Sequence, residues 1–352
     1  MEEKTDIGSL RARLELCHPF DRARYVPLLC RASRLSIIRR PPHFGRSVFL
    51  SAVADALDVA SPYPRKERWP NPIARRRPLF DFNSGVILYL DMGRLSFETY
   101  EDLEAQIVDL SRSAVIHFLD KYQSYIGYTE EERMEVLAEE DVFSLLHYTM
   151  RLVISAHPEA FIYICVDNYT APCETAVRSE DWPQITEIVN KSLFRDLSTM
   201  VASGLIDSGI LVGSSEMDGD PMALLTYEKE VDEWGNDLFS PADAPAPVPF
   251  VGELMDYAAD RTHSHDLQSA IGFTMEGVVT LARAVLGDDP QADELWERVS
   301  KIPSRTFSHN SNPENVWAAG DVVEILRDIA GTRTTREDLH SEKSDLDGLV
   351  AS

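Results

Sequence analysis

No stretch of this sequence stays apolar for the length a membrane-crossing helix requires, which excludes such a span. Cysteine is scarce, with Cys17, Cys30, Cys165 and Cys173 the only four in 352 residues. Their spacing fits no metal-ligand pattern, and Cys165 lies inside an apolar run. A small buried thiol in a reducing compartment is therefore the expectation. Positive charge is also short: 34 Lys and Arg stand against 59 Asp and Glu, a formal net charge of −25. That sign argues against nucleic acid as a partner of the surface as a whole. Met1-Glu2-Glu3-Lys4-Thr5-Asp6 is charged with no apolar run behind it. No secretory signal is expected, and the expected location is intracellular, cytoplasmic or nuclear. No internal repeat is present.

What is present begins at Ser36-Ile37-Ile38-Arg39, which reads as a short buried strand. Arg40-Pro41-Pro42-His43-Phe44-Gly45-Arg46-Ser47 follows, then a helical pattern with Phe49, Leu50, Val53, Ala54 and Leu57 apolar. Strand, glycine-bearing turn, basic residue, hydroxyl and helix form the skeleton of a phosphate-binding loop. In such a loop, backbone N–H groups and the helix N-terminus hold phosphates, a lysine neutralises their charge, and the hydroxyl holds Mg²⁺. Here Arg46 stands at the lysine position and Arg40 at the first glycine position. The skeleton is intact and its chemistry is altered.

Charge is unevenly spread. Residues 1–80 hold 16 Lys and Arg against 8 Asp and Glu, and the remainder holds 18 against 51. The basic end surrounds the loop and suits an anion site. Solvated loops are an equal reading of Arg65-Lys66-Glu67-Arg68 and Arg75-Arg76-Arg77, and Trp69 among them could stack on a base but more often such a residue covers core under a loop.

Further along, Val86-Ile87-Leu88-Tyr89-Leu90-Asp91 has strand length. A helix is expected over Tyr100–Tyr122, with Leu103, Ile107, Leu110, Ala114 and Phe118 on one stripe. Asp141 can cap a helix running to Ala156. Phe161-Ile162-Tyr163-Ile164-Cys165-Val166-Asp167 is a near-continuous apolar strand of the kind buried in parallel sheets. A helix near Trp182–Ala202 and a strand over Gly209–Ser215 follow. Strands alternating with long helices imply an α/β fold, a three-layer P-loop NTPase-like sandwich with a parallel central sheet and a helical C-terminal extension. The expected organisation is a helical lead-in over 1–34, the α/β core over 35–215, and an acidic, proline-rich loop over 216–265. A helical lid-like region over 266–330 and a disordered tail over 331–352 complete it.

A second signature of such a core is a strand ending in Asp-Glu, where Asp orients Mg²⁺ and Glu polarises the attacking water. Asp167 fits the Asp. Asn168 replaces the Glu, and an amide cannot accept a proton. Ser214 or Ser215, at the tip of the next core strand, takes the place of a γ-phosphate sensor. Singly these are ordinary turn and cap residues; their order and spacing carry the signal. His263-Ser264-His265-Asp266 has no complementary cluster and reads as solvent-facing. His147 and His157 are isolated, and Cys173 has no His-plus-acid arrangement to make it a nucleophile.

At these residues the chain resembles the AAA-ATPase-like domain family, often fused to a PD-(D/E)XK nuclease-like domain. That family's loop reads Arg-Pro-Arg-Arg-Phe-Gly-Lys-Ser/Thr, against Arg40-Pro41-Pro42-His43-Phe44-Gly45-Arg46-Ser47 here. Its upstream Tyr-Val-Asp-Lys-Thr resembles Tyr25-Val26-Pro27-Leu28-Leu29, and its Leu-Asp strand end resembles Leu90-Asp91. Its Ile-Asp-Glu-Tyr-Asp-x-Pro resembles Val166-Asp167-Asn168-Tyr169-Thr170-Ala171-Pro172. Its Leu-Thr-Gly strand resembles Leu211-Val212-Gly213, and its Phe-Gly-Phe-Thr helix start resembles Ile271-Gly272-Phe273-Thr274. The resemblance runs over about residues 25–330, and the nuclease-like domain is not expected within this sequence.

The resemblance implies Mg·ATP as cofactor, held by Arg40, Phe44, Gly45, Arg46, Ser47 and Val48, with Ser47 and Asp167 on the metal. The combined changes at Arg46, Asn168 and Thr170 point to a degenerate ATPase-like protein, with weak or absent nucleotide binding and impaired hydrolysis. It would act as an interaction or regulatory module, through a protein partner or self-association. A working ATPase using Arg46, Ser47 and Asp167 is the first alternative. Nucleic-acid binding through residues 65–77 is the second.

Overall fold

The computed structural model describes residues 25–32, 34–61, 83–174, 181–215, 254, 256–286, 291–307, 314–326 and 328–329. The chain divides into two compact units. One comprises Ala23–Pro41 and Arg46–Thr262; the other comprises Met1–Arg22, Pro42–Gly45 and His263–Ser352.

In the first unit, α1 (Val26–Ala32) leads into β1 (Leu35–Arg40), and α2 (Arg46–Leu57) follows the loop. Then come β2 (Gly85–Asp91), α3 (Tyr100–Ile126), α4 (Glu130–Leu137), α5 (Val142–Ala156) and β3 (Phe161–Asp167). A short turn α6 (Ala171–Glu174), α7 (Trp182–Val189), a π-helical stretch Asn190–Phe194, α8 (Arg195–Ser203), β4 (Ser208–Ser214) and β5 (Ala258–Asp260) complete the unit.

The five strands form one sheet in the order β2-β3-β4-β1-β5. Every pairing is parallel. This is the parallel α/β sheet that the near-continuous apolar runs imply, because both faces must be covered. Alternation along each strand divides the side chains between the faces. Val86, Leu88 and Leu90 of β2 and Ile162, Ile164 and Val166 of β3 share one core with Leu103, Ile107 and Phe118 of α3 and Leu145, Met150 and Val153 of α5. Phe49, Leu50 and Val53 of α2 are buried outside that cluster. The chain steps from β1 to β2 in one direction and from β2 through β3 to β4 in the other. Right-handed crossovers then place α2 on the opposite face. The reversal occurs at β1, and ligands of such sheets bind outside the carboxyl ends of the strands at that point.

Local chemistry sets the helix ends. Thr99 accepts from the Asp102 N–H at the start of α3, and Gly127 (φ +72°) closes it with its N–H on the Gln123 carbonyl. The helix runs to Ile126, one turn beyond the sequence reading, because Tyr122 and Ile126 are also buried. Asp141 Oδ1 accepts from Ser144 N at 2.8 Å, the cap expected for α5. At the amino-terminal side of β2, the Tyr122 hydroxyl donates to buried Asp58 Oδ1 at 2.8 Å and accepts from Ile87 N at 2.9 Å.

The sequence reading carries loop from 216 to 265, whereas β5 occupies Ala258–Asp260. Three residues, Ala-Ala-Asp, show no periodicity. Their pairing comes from β1, with Leu35 opposite Ala258 and Ile37 opposite Asp260, and from Arg39, whose Nη2 meets Asp260 Oδ2 at 2.8 Å.

The second unit is helical. It contains α9 (Met275–Leu286), α10 (Gln291–Val299) and a helix over 319–326. Phe273, Val278, Leu281, Leu295, Val299, Trp317, Val322 and Leu326 form its core. Phe273 and Trp317 pair as an antiparallel bridge, with their backbones bonded in both directions.

Candidate functional site

β1 ends at Arg40, whose position in register with Ser214 brings the tips of β1 and β4 side by side. Arg40 is 0 % exposed. Its Nη1 donates to the Thr262 carbonyl at 2.7 Å and the Arg39 carbonyl at 2.8 Å. Burial lowers its pKa to about 10, with the Asp260 charge pulling the other way, so it stays cationic at neutral pH. The sequence placed Arg40 among the anion-binding residues. In the structure these bonds tie the root of the loop to the chain leaving β5.

Phe44 and Gly45 belong to the helical unit. Phe44 is buried and meets the Phe307 ring edge-on at 5.4 Å. Gly45 has φ +86°, and the His43 carbonyl accepts from Gly320 N at 2.8 Å. Phe44 is thus an anchor in that unit's packing.

Arg46 opens α2, where Ser47 and Val48 are exposed, Val48 at 72 %. No acidic residue lies in the first turn of this helix. The positive end of the helix dipole is therefore unopposed there by its own side chains. Arg46 Nη1 is buried and has no hydrogen-bond partner among the described residues. A buried guanidinium nitrogen without an acceptor is costly, and an anion would satisfy it. Arg46 and Ser47 on this helix start therefore fit a phosphate group.

Asp91 and Asp167 lie directly opposite one another at the ends of β2 and β3. Asp167 is 2 % exposed. Its Oδ2 accepts from the Tyr89 hydroxyl at 3.0 Å and its Oδ1 from Asn168 N at 3.0 Å. Ser51 of α2 hydrogen-bonds the same phenol. Burial, then the charge of Asp167 and its hydrogen bond, push the Tyr89 pKa far above its ordinary value, so the phenol remains a donor.

Asn168 has φ +52°, a left-handed conformation that asparagine adopts more readily than most residues. Its Nδ2 donates to Asp91 Oδ1 at 3.1 Å, and Gly93 N donates to the same oxygen at 3.1 Å. Two residues on, Thr170 Oγ1 accepts from Ser214 N at 2.8 Å and donates to Glu174 Oε1. Ser214 is buried, and Ser215 N donates to the Arg40 carbonyl at 3.2 Å. Gly213 permits this approach, because a Cβ there would lie 2.6 Å from Tyr169 Cε1.

The fold thus gathers Asp91, Asp167, Asn168, Thr170 and Ser214 along the carboxyl edge of the sheet. Tyr89 was missed in the sequence, where a tyrosine inside an apolar strand reads as core. Asp91 was noted only as a strand end.

His263, His265 and Asp266 are not part of a metal-binding group, and none of three or more His, Cys, Asp or Glu occurs among the described residues. His157 Nε2 lies 2.6 Å from the Tyr125 carbonyl and stacks on its ring, while His147 stacks on Phe143. Burial pushes the Cys173 and Cys30 thiols up to about 12 and Cys165 well above its usual value, which removes them as nucleophiles at neutral pH. Trp69 and the basic residues 65–77 lie outside the described residues. Among the described residues no helix is long and apolar enough to cross a membrane.

A family model described as a predicted AAA-ATPase matches residues 12–218, more than half of the chain. No curated protein and no solved structure matches it. The match suggests nucleotide and Mg²⁺ binding in general.

Proposed function

The chain belongs to the family of predicted AAA-ATPases, and on that premise we propose that it is a degenerate member which binds nucleotide weakly and hydrolyses it poorly. The observation that carries the reading is Asn168. It follows Asp167, the residue assigned here to Mg²⁺, where a glutamate would polarise water, and its side-chain amide is bonded to Asp91 Oδ1 at 3.1 Å. An amide cannot take a proton, and general-base help is worth about 10²–10⁴ in rate.

Arg46 supports retained but altered binding. Its buried Nη1 lacks an acceptor among the described residues, so charge for a phosphate is present. A planar guanidinium does not reproduce the fit of a compact ammonium between β- and γ-phosphate oxygens. Ser47 and Asp167 would hold Mg²⁺, and the bound nucleotide would supply the charge that these residues answer. The protein then works inside the cell as an interaction or regulatory module, through a protein partner or self-association.

Titration with Mg·ATP by calorimetry tests the reading. Weak binding, in the range of tens to hundreds of micromolar by affinity arithmetic for a damaged site, and weaker still in Asp167→Ala, is expected. No heat at millimolar ATP contradicts it.

A second reading, a working ATPase, draws on Asp91. That carboxylate sits beside Asp167 in register and could take the role Asn168 cannot. Steady turnover abolished by Asp91→Asn would favour it.

A further inference from the structure

Tyr89 stands between the sheet and α2. Leu88 and Leu90 face the core formed with α3 and α5, so alternation turns Tyr89 to the other side, where Ser51 of α2 hydrogen-bonds its hydroxyl. Ser51 lies one helical turn beyond Ser47, the residue expected to hold Mg²⁺. The phenol donates to Asp167 Oδ2 at 3.0 Å, while Oδ1 is engaged by Asn168 N at 3.0 Å. Both oxygens of the carboxylate therefore carry a donor from the chain itself.

Magnesium keeps most of its water shell and reaches proteins through one or two carboxylates. A donor already seated on Asp167 Oδ2 draws off negative charge and would compete with that shell for the oxygen. We propose that Tyr89 is a latch on Asp167 that sets how strongly nucleotide binding responds to Mg²⁺. The proposal rests on the nucleotide-site reading above. Tyr89 acts through Asp167 and is a positioning residue.

The test measures ADP affinity twice, with excess Mg²⁺ and with a chelator, and takes the ratio. Wild type, Tyr89→Phe, Tyr89→Met and Asp167→Asn are compared. Phe keeps the ring, and Met fills the space with a flexible apolar chain should Phe fold poorly. Removing a hydrogen bond to a charged group is expected to raise the Mg²⁺ ratio about tenfold in both Tyr89 variants. The ratio falls to unity in Asp167→Asn. ADP binding with an unchanged or smaller ratio in the Tyr89 variants overturns the latch and leaves the nucleotide site standing. No ADP binding by any of the proteins overturns the nucleotide site, and the latch with it.

Discussion

The side-chain amide of Asn168 donates to Asp91 Oδ1 at 3.1 Å, joining the ends of two neighbouring parallel strands. This contact accounts for why one substitution at position 168 would not restore an ATPase. A glutamate there would bring a second carboxylate toward Asp91, and like charges at that range raise one pKa and strain the pair. It would also have to adopt φ +52°, where a longer side chain is less at ease than asparagine. Asn168→Glu is expected to lower the melting temperature and to gain little turnover. Asn168→Glu with Asp91→Asn should hydrolyse ATP at least about tenfold faster than either single variant, within the range of general-base help. Equal rates in the single and double variants would show that Asp91 does not oppose the charge.

Arg46 gives a second expectation. Arg46→Lys exchanges a fork whose buried Nη1 has no acceptor among the described residues for a compact ammonium. ATP affinity measured by titration should rise about tenfold, roughly 1.4 kcal/mol. Arg46→Ala should abolish binding. A weaker Arg46→Lys would mean that the guanidinium itself recognises the ligand.

Tyr122 joins helix, strand and loop on the far side of the sheet. Its hydroxyl donates to Asp58 Oδ1, 2.8 Å away, and receives Ile87 N at 2.9 Å. Tyr122→Phe leaves a buried carboxylate oxygen and a backbone N–H with one partner fewer. A loss of about 1–3 kcal/mol in urea unfolding is expected, with nucleotide affinity unchanged.

Asp196 titrates in an unusual range. Burial raises its pKa to about 6, with the Asp141 charge adding and the Arg195 charge opposing. The folded value lies above the unfolded one, so the native state binds more protons between about pH 4 and pH 6, and stability falls as pH rises through that window. Asp196 is partly exposed, and screening limits the effect to about 1 kcal/mol. Asp196→Asn should therefore melt higher than wild type at pH 7, and the difference should vanish below about pH 4. A constant difference across pH would place the cause in packing.

Much of the framework is legible in the sequence. The strand over Phe161–Asp167 was bounded correctly because its apolar run ends sharply at an acid, and Asp141 announced α5 because a cap is a local device. The strand β5 was not readable, since Ala258–Asp260 is held by β1 and Arg39 and by nothing within itself. The site divides in the same way. Asp167 and Asn168 stand out by their place after an apolar strand. The link from Asn168 to Asp91 depends on the register of two strands far apart in the chain, and Tyr89 reveals its role only once α2 covers that face. Arg40 looked like a phosphate ligand from its neighbours, yet its guanidinium reaches the Thr262 carbonyl, a contact between residues 222 positions apart.

The central claim is that the site holds nucleotide without breaking it efficiently. Single-turnover hydrolysis of ATP, with protein in excess and Mg²⁺ present, tests it most directly, run on wild type beside Asp167→Ala. The account predicts that ATP is bound by wild type and stays intact for many minutes, far below the usual enzymatic range of about 1–10³ per second. Cleavage within seconds, lost in Asp167→Ala, would contradict it and establish a working ATPase.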